Sequence, residues 1–205
     1  MQCIKDTIKN INIVIGCSIG CSYCYARMNN NRFHTIDDFN KPVFFENKLK
    51  MLDNKRHTAY LLTGQSDLSG WNEEWKDKVF SKMKENENTQ YIFLTKRPEN
   101  IKLKETPDNG WFGVTVTSSK EKTRIDYLRN NIKAKHYHIT FEPMFDDVGK
   151  LDLSNISWIV IGTETGNRKG KISSKREWVF NIYNQAKEKY IPVFMKEDLL
   201  GILKE

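Results

Sequence analysis

The sequence predicts an α/β fold: a partial, open βα barrel of about six to seven parallel strands, in a single domain spanning residues 1–205. Three observations carry this. Short apolar or β-branched runs recur along the chain, several of them nearly continuous in hydrophobicity, as strands covered on both faces are. Stretches with helical spacing lie between several of the runs, and alternation of strand and helix means βα units joined by right-handed crossovers. The number of such units falls short of the eight of a closed barrel.

The strand runs are "NIVIG" (12–16), "AYLLTG" (59–64), "YIFLTK" (91–96), "WFGVTV" (111–116), "YHITFEP" (137–143), "WIVIG" (158–162) and "IPVFMK" (191–196). Helical spacing is plainest in "NEEWKDKVFSKMKEN", where Trp75, Val79 and Met83 fall four apart, and in "SKREWVFNIYNQAKEKY", where Trp178, Ile182 and Ala186 do the same. "KTRIDYLRNNI" gives a weaker version through Ile125, Leu128 and Ile132, and Pro98 suits the first turn of a helix. "NENT" and "ETPDNG" read as turns between elements, and no internal repeat or low-complexity tract interrupts the rhythm.

A chain of 205 residues, 39% hydrophobic and 12% aromatic, is long enough for one domain with a core. No apolar run reaches the length that crosses a bilayer, and the opening "MQCIKDTIKNINIVIGC" carries charges where a signal peptide needs its apolar stretch. A cytoplasmic location without membrane attachment is the expectation.

In that reducing compartment thiols stay free, so a tight group of cysteines points to metal ahead of disulfides or core filling. Cys17, Cys21 and Cys24 form such a group, with the spacing C-x-x-x-C-x-x-C. Structural zinc draws four ligands, and the fourth cysteine, Cys3, is the only other thiol of the chain. Three thiolates without an evident fourth ligand suit a cubane iron-sulfur cluster that leaves one iron open.

Ligands of parallel βα folds gather at the C-terminal ends of the strands. The cysteine loop follows the first strand run, and polar residues end the others: Thr63, Gly64, Gln65, Ser66 and Asp67; Thr95, Lys96 and Arg97; Thr115 and Thr117; Glu142; Gly162, Thr163 and Glu164; and Lys196. Any one of them is explained as a cap for the next helix. Together with the cysteine loop they outline one mouth, where a glutamate and a lysine pointing inward need partners.

At the cysteine loop the sequence resembles the radical S-adenosylmethionine superfamily, whose signature is C-x-x-x-C-x-aromatic-C, with Tyr23 in the aromatic position. The ordered segments "FLTKRPEN", "WFGVTVTS" followed by "RIDYL", "FEPM", "WIVIGTETG" and "EWV" resemble a phage-associated, radical-SAM-like family of unknown function over residues 12 to about 200. The resemblance implies a 4Fe-4S cluster on Cys17, Cys21 and Cys24 with Tyr23 packed beside it. It implies that S-adenosylmethionine on the open iron is cleaved to a 5'-deoxyadenosyl radical, in an oxygen-sensitive enzyme served by a flavodoxin- or ferredoxin-type reductant protein. In the place of the superfamily's "GGE"-like turn stands "TGQSD", so Gly64, Gln65, Ser66 and Asp67 become the cofactor contacts, with Gln65 or Asp67 as acceptor of the ammonium. Thr115 and Thr117 become ribose contacts, Gly162, Thr163 and Glu164 lie along the adenine, and Glu142 and Lys196 remain for substrate or proton handling.

The net charge of +7 permits an anionic or nucleic-acid substrate. "GNRKGKISSKR", with Arg168, Lys169, Lys171, Lys175 and Arg176, follows the sixth strand run and so belongs at the same mouth, as a flexible basic loop that grips phosphates. Trp71 is a candidate to stack on bases. Two classes stay open at this point: a radical enzyme, and a non-catalytic nucleic-acid-binding module built on structural zinc with Cys3 as fourth ligand.

Overall fold

The computed structural model describes residues 7–54 and 58–204, so Cys3 lies outside the described residues. In chain order the strands are β1 (Ile8–Asn10), β2 (Val14–Ile15), β3 (Val43–Phe44), β4 (Ala59–Leu61), β5 (Gln90–Thr95), β6 (Gly110–Thr115), β7 (His136–Phe141), β8 (Ile156–Ile161) and β9 (Val193–Met195). The helices are α1 (Tyr25–Phe33), α2 (Glu73–Glu85), α3 (Thr123–Asn131), α4 (Arg176–Glu188) and α5 (Leu200–Lys204). Seven strands form one parallel sheet in the order β1-β4-β5-β6-β7-β8-β9, curled into an open half-barrel, while β2 and β3 make a separate antiparallel ribbon. The expected open βα barrel is therefore the observed fold.

Alternation along the strands decides what faces where. Tyr91 and Phe93 of β5, Phe112 and Val114 of β6, and Tyr137, Ile139 and Phe141 of β7 enter the core that the helices cover. Phe80 of α2 meets the rings of Phe93 and Phe112 edge-on at 5.9 and 6.0 Å, which fixes that face as the helix side. The alternate residues, among them Trp111, Gly113, Thr115, His136, His138, Thr140 and Trp158, line the inner face of the curl.

Local chemistry accounts for the helices. Asn72 caps α2 by accepting a hydrogen bond from the Trp75 N–H at 2.9 Å, with Glu73 and Glu74 at the positive end and Lys82 and Lys84 at the negative end. Val79 and Met83, four apart, are fully buried, and each such side chain contributes roughly 1.5–3 kcal/mol by leaving water. Val179, Ile182 and Ala186 do the same for α4, and Ile125 and Leu128 for α3.

Two expectations need correction and a third is refined. The first strand of the sheet is Ile8–Asn10, whereas the run 12–16 bends away after the Ile11 N–H reaches the Leu61 carbonyl, and its Val14–Ile15 pairs with β3. The Gly16 N–H still donates to the Gln65 carbonyl at 3.0 Å, so the cysteine loop begins beside the end of β4 all the same. Pro98 does open the first turn of a helix, as expected, but that helix is a single 3₁₀ turn, Pro98–Asn100. Trp71 is no stacking platform: it is 3% exposed, packs on Phe93, and its indole N–H donates to the Ser66 hydroxyl.

Candidate functional site

The three cysteines lie on the loop between β2 and α1, and each is half-buried. Gly16, at φ +113°, makes the turn into this loop, with Pro42 and Lys41 so close that no larger residue fits. The Cys17 N–H then donates to the Phe39 carbonyl at 2.6 Å. The Cys24 sulfur caps α1 by accepting from the Arg27 N–H at 3.4 Å, while the Arg27 guanidinium donates to the Cys17 carbonyl (2.8 Å) and to Asn40 (3.0 Å). Arg27 thus ties the first cysteine to the helix that starts at the third. Burial pushes the Cys17 thiol up, opposed by the Ile19 N–H and reinforced by Asp67, Cys21 and Cys24. Among the described residues no three Cys, His, Asp or Glu side chains lie close enough together to hold one metal ion.

Tyr23 points into the mouth. Its ring meets Phe145 edge-on at 5.4 Å, and the Lys96 ammonium sits 5.7 Å from the ring centre. Burial, then negative charge at Cys21, pushes its phenol well above the ordinary range. Tyr25, directly after Cys24, was not singled out in the sequence. Its hydroxyl donates to the Gly64 carbonyl at 2.6 Å, which fastens the cysteine loop to the end of β4. Enclosure of that hydroxyl, followed by charge at Cys24 and Glu142, raises its pKa, while the ring remains 52% exposed.

The segment after β4 divides sharply by role. Asp67 is buried and fully engaged: Oδ1 accepts from the Ser69 N–H and hydroxyl and from the Thr95 hydroxyl (2.6 Å), and Oδ2 from the Lys96 N–H (2.8 Å). Ser66 accepts from Trp71. Gln65 is half-buried, and its carbonyl receives Gly16. Beside Gly64 lies a group with no mark in the sequence: Asn12 Oδ1 is buried and has no hydrogen-bond donor among the described residues. A Cβ on Gly64 would come within 3.1 Å of that oxygen and 3.3 Å of Asn10 Oδ1. The absent side chain leaves a small cradle lined by acceptors.

The remaining strand-end residues have internal partners. Thr115 and Thr117 are both buried. The Thr115 carbonyl accepts from Arg124 at 2.8 Å, and the Thr117 N–H and hydroxyl both donate to Glu121, itself paired with Arg124 at 2.8 Å. The Thr163 N–H donates to Asp198 and its hydroxyl accepts from Ser174. Glu164, 3% exposed, takes a two-pronged hydrogen bond from Arg168 (2.5 and 2.8 Å) and the Ile172 N–H; the guanidinium above all holds its carboxyl below the usual range. Arg168 is consequently folded back onto the protein, and the basic loop is wired in place where a flexible one was expected.

Glu142 and Lys196, the two residues left for substrate or proton handling, form an ion pair with each other, with Asp198 a further 3.9 Å from the ammonium. Each is about a quarter exposed. They lie across Gly162, where a Cβ would meet Lys196 Cδ at 2.9 Å and Glu142 at 3.1 Å. The pair therefore rims the mouth at the ends of β7 and β9, with Glu142 within electrostatic reach of Tyr25.

Donor chemistry fits the expected groups. Three half-buried thiols on one loop suit a cluster, which puts each thiolate on a different iron and so does not need them gathered round one point. An acceptor-lined cradle with an orphaned carbonyl oxygen suits an ammonium donor. No helix among the described residues is long and apolar enough to cross a membrane.

Comparison with curated proteins and with solved structures finds no match in either. A family model described as "Protein of unknown function (DUF5131)" matches residues 2–198, nearly the whole chain, and the protein belongs to that family.

Proposed function

We propose that the protein is a radical S-adenosylmethionine enzyme acting on an anionic substrate. One observation carries the reading: a loop of three half-buried cysteines opens at the C-terminal end of a parallel half-barrel, beside a glycine cradle whose carbonyl oxygen, Asn12 Oδ1, has no donor among the described residues.

In this reading Cys17, Cys21 and Cys24 hold a 4Fe-4S cluster. When bound, the cluster and S-adenosylmethionine supply a 5'-deoxyadenosyl radical that abstracts hydrogen from the substrate. The protein positions and excludes. Asn12 and Gln65 accept hydrogen bonds from the cofactor's ammonium, a role Asp67 is too occupied to take. Tyr25 holds the loop against β4, and Tyr23 shields it from solvent. Thr115, Thr117, Thr163 and Glu164 serve the cofactor through the backbone they brace, since their side chains are engaged. Among the described residues Lys96 has no carboxylate partner, and it faces the mouth over Tyr23, which supports an anionic group on the substrate. Glu142 and Lys196, paired with each other at the rim, are placed for substrate or proton handling. A flavodoxin- or ferredoxin-type protein supplies the electron.

The test is anaerobic reconstitution with iron and sulfide, then chemical reduction with S-adenosylmethionine and chromatography for 5'-deoxyadenosine. Product that disappears in Cys17→Ala, Cys21→Ala and Cys24→Ala is the expected result. Tightly bound zinc with no uptake of iron and sulfide would overturn the reading.

A further inference from the structure

The loop after β8 is a built device. Residues 165–176, "TGNRKGKISSKR", contain five cations and no acidic residue. Arg168 is spent inside the loop, on buried Glu164 and on the carbonyls of Lys169 and Gly170. Ser174 is buried and donates to Thr163, which pins the far end of the loop to the strand end. Gly166 and Gly170, at φ +80° and +74°, make the two turns between. This internal wiring presents Lys169, Lys171, Lys175 and Arg176 outward, all exposed and, among the described residues, none in an ion pair with a carboxylate, with Ile172 39% exposed among them. On α2, by contrast, Lys76, Lys78 and Lys82 each sit on a glutamate or aspartate.

Lys171 donates to the Gly166 carbonyl at 3.4 Å, and Lys175 and Arg176 lie over the rings of Trp178 and Phe180, so the row is held without being neutralised by an ion pair. Such a row complements a polyanion, and preorganisation lowers the entropy lost on binding. The loop springs from the end of β8, which Glu142 after β7 and Lys196 after β9 flank across Gly162. Tyr25, within electrostatic reach of Glu142, offers its half-exposed ring beside Cys24. A phosphate clamp at the rim, leading to an aromatic ring at the proposed reaction centre, matches a chain of nucleotides, whose bases have faces to stack. An acidic peptide would satisfy the cations and leave the ring unused.

We propose that loop 165–176 is a docking surface for the backbone of single-stranded nucleic acid, which delivers one nucleotide to the mouth beside Tyr25. The docking stands on the loop alone, and delivery for reaction rests on the radical-enzyme reading.

The test is fluorescence anisotropy with a fluorescein-labelled twelve-residue oligothymidylate at graded salt, on the protein as isolated and after cluster reconstitution. Four phosphate contacts give a slope of about −3 in log affinity against log salt, or roughly 50-fold weaker binding between 50 and 200 mM. Replacing Lys169, Lys171, Lys175 and Arg176 by Gln is expected to weaken binding at least tenfold at 50 mM salt and to flatten the slope. Tyr25→Ala should weaken it severalfold with the slope unchanged. Replacing Lys84, Lys133, Lys187 and Lys189, exposed cations from the opposite ends of the βα units, by Gln should leave affinity within about twofold. Unchanged binding by the loop variant with an unchanged melting temperature, or equally tight binding of a poly-glutamate peptide, would overturn the proposal. Anisotropy needs neither the cluster nor S-adenosylmethionine, so docking that holds while 5'-deoxyadenosine is never formed would sink the reaction and leave the surface.

Discussion

The imidazole of His138 lies across the α-carbon of Gly113, so close that a Cβ there would stand 2.4 Å from the ring. The two residues are register neighbours on β7 and β6, and the ring reaches over β6 to bring Nε2 within 3.1 Å of the Phe93 carbonyl on β5. One side chain thus ties three strands on the inner face of the half-barrel. Its other nitrogen, Nδ1, makes no hydrogen bond among the described residues.

Gly113→Ala should therefore be costly. The ring is held by the Phe93 carbonyl and by contact with Trp158 at 5.4 Å, so it cannot swing aside cheaply. Overpacking of this kind costs about 3 kcal/mol. Urea unfolding of Gly113→Ala, His138→Ser and the double variant should show strong coupling between the two positions.

Acid should weaken the fold through the same residue. Complete burial holds the His138 pKa down to about 4, against the opposing pull of the Phe93 and Trp111 carbonyls. Below the ordinary imidazole pKa the unfolded chain takes up a proton that the folded chain refuses, so stability falls as pH drops from about 6.5 to 4 and then levels. The full loss from this one group is about 3 kcal/mol. His136, lowered chiefly by burial, adds a smaller loss in the same direction. Urea midpoints between pH 7.5 and 4.5 should fall less steeply in His138→Gln, and parallel curves would contradict the assignment.

Asp67→Ala and Gln65→Ala should part ways. Removing Asp67 strands the Lys96 N–H and the Thr95 and Ser69 hydroxyls at a buried junction of two strands, a loss of about 2 to 4 kcal/mol. Gln65→Ala should unfold like the native protein, while binding S-adenosylmethionine more weakly by equilibrium dialysis of the reconstituted protein.

Tyr25→Phe removes one hydrogen bond, to the Gly64 carbonyl, and little else. Its stability cost is about 1 kcal/mol. The more telling measurement is retention of iron and sulfide by the reconstituted protein after gel filtration: under the proposed reading the variant should lose them faster than wild type, because this bond joins α1 directly to the end of β4.

Legibility in the sequence followed physical period. Helices α2 and α4 could be read because their buried residues fall four apart and carry a helical signature. Helix α1 could not, since it buries only Ala26 and Asn30. It is held instead by side chains grasping backbone: Asn30 both donates to and accepts from Ile36, and Arg27 holds the Cys17 carbonyl. Such bonds leave no hydrophobic rhythm. Strand β1 escaped for a related reason, being three residues long with Lys9 and Asn10 among them. At the mouth the sequence could name the polar residues but not sort them. Asp67 and Gln65 look alike in a string; their difference is the set of donors that folding brings to one and not the other. Asn12 had no mark at all, since only burial without a partner distinguishes it.

Spatial order equal to chain order has a consequence for synthesis. As the polypeptide leaves the ribosome, each new main-sheet strand finds its neighbour already laid down, and the cysteine loop is bound to β4 long before the last strand arrives. Strand β9 comes last, carrying Lys196 to Glu142 and, just beyond it, Asp198 to the Thr163 N–H. A nascent chain that has not yet delivered β9 holds six of the seven main-sheet strands and all three described cysteines, with one rim of the mouth missing. The protein can thus lay down most of its scaffold while still tethered, yet that rim of the mouth is complete only once the segment after α4 has emerged.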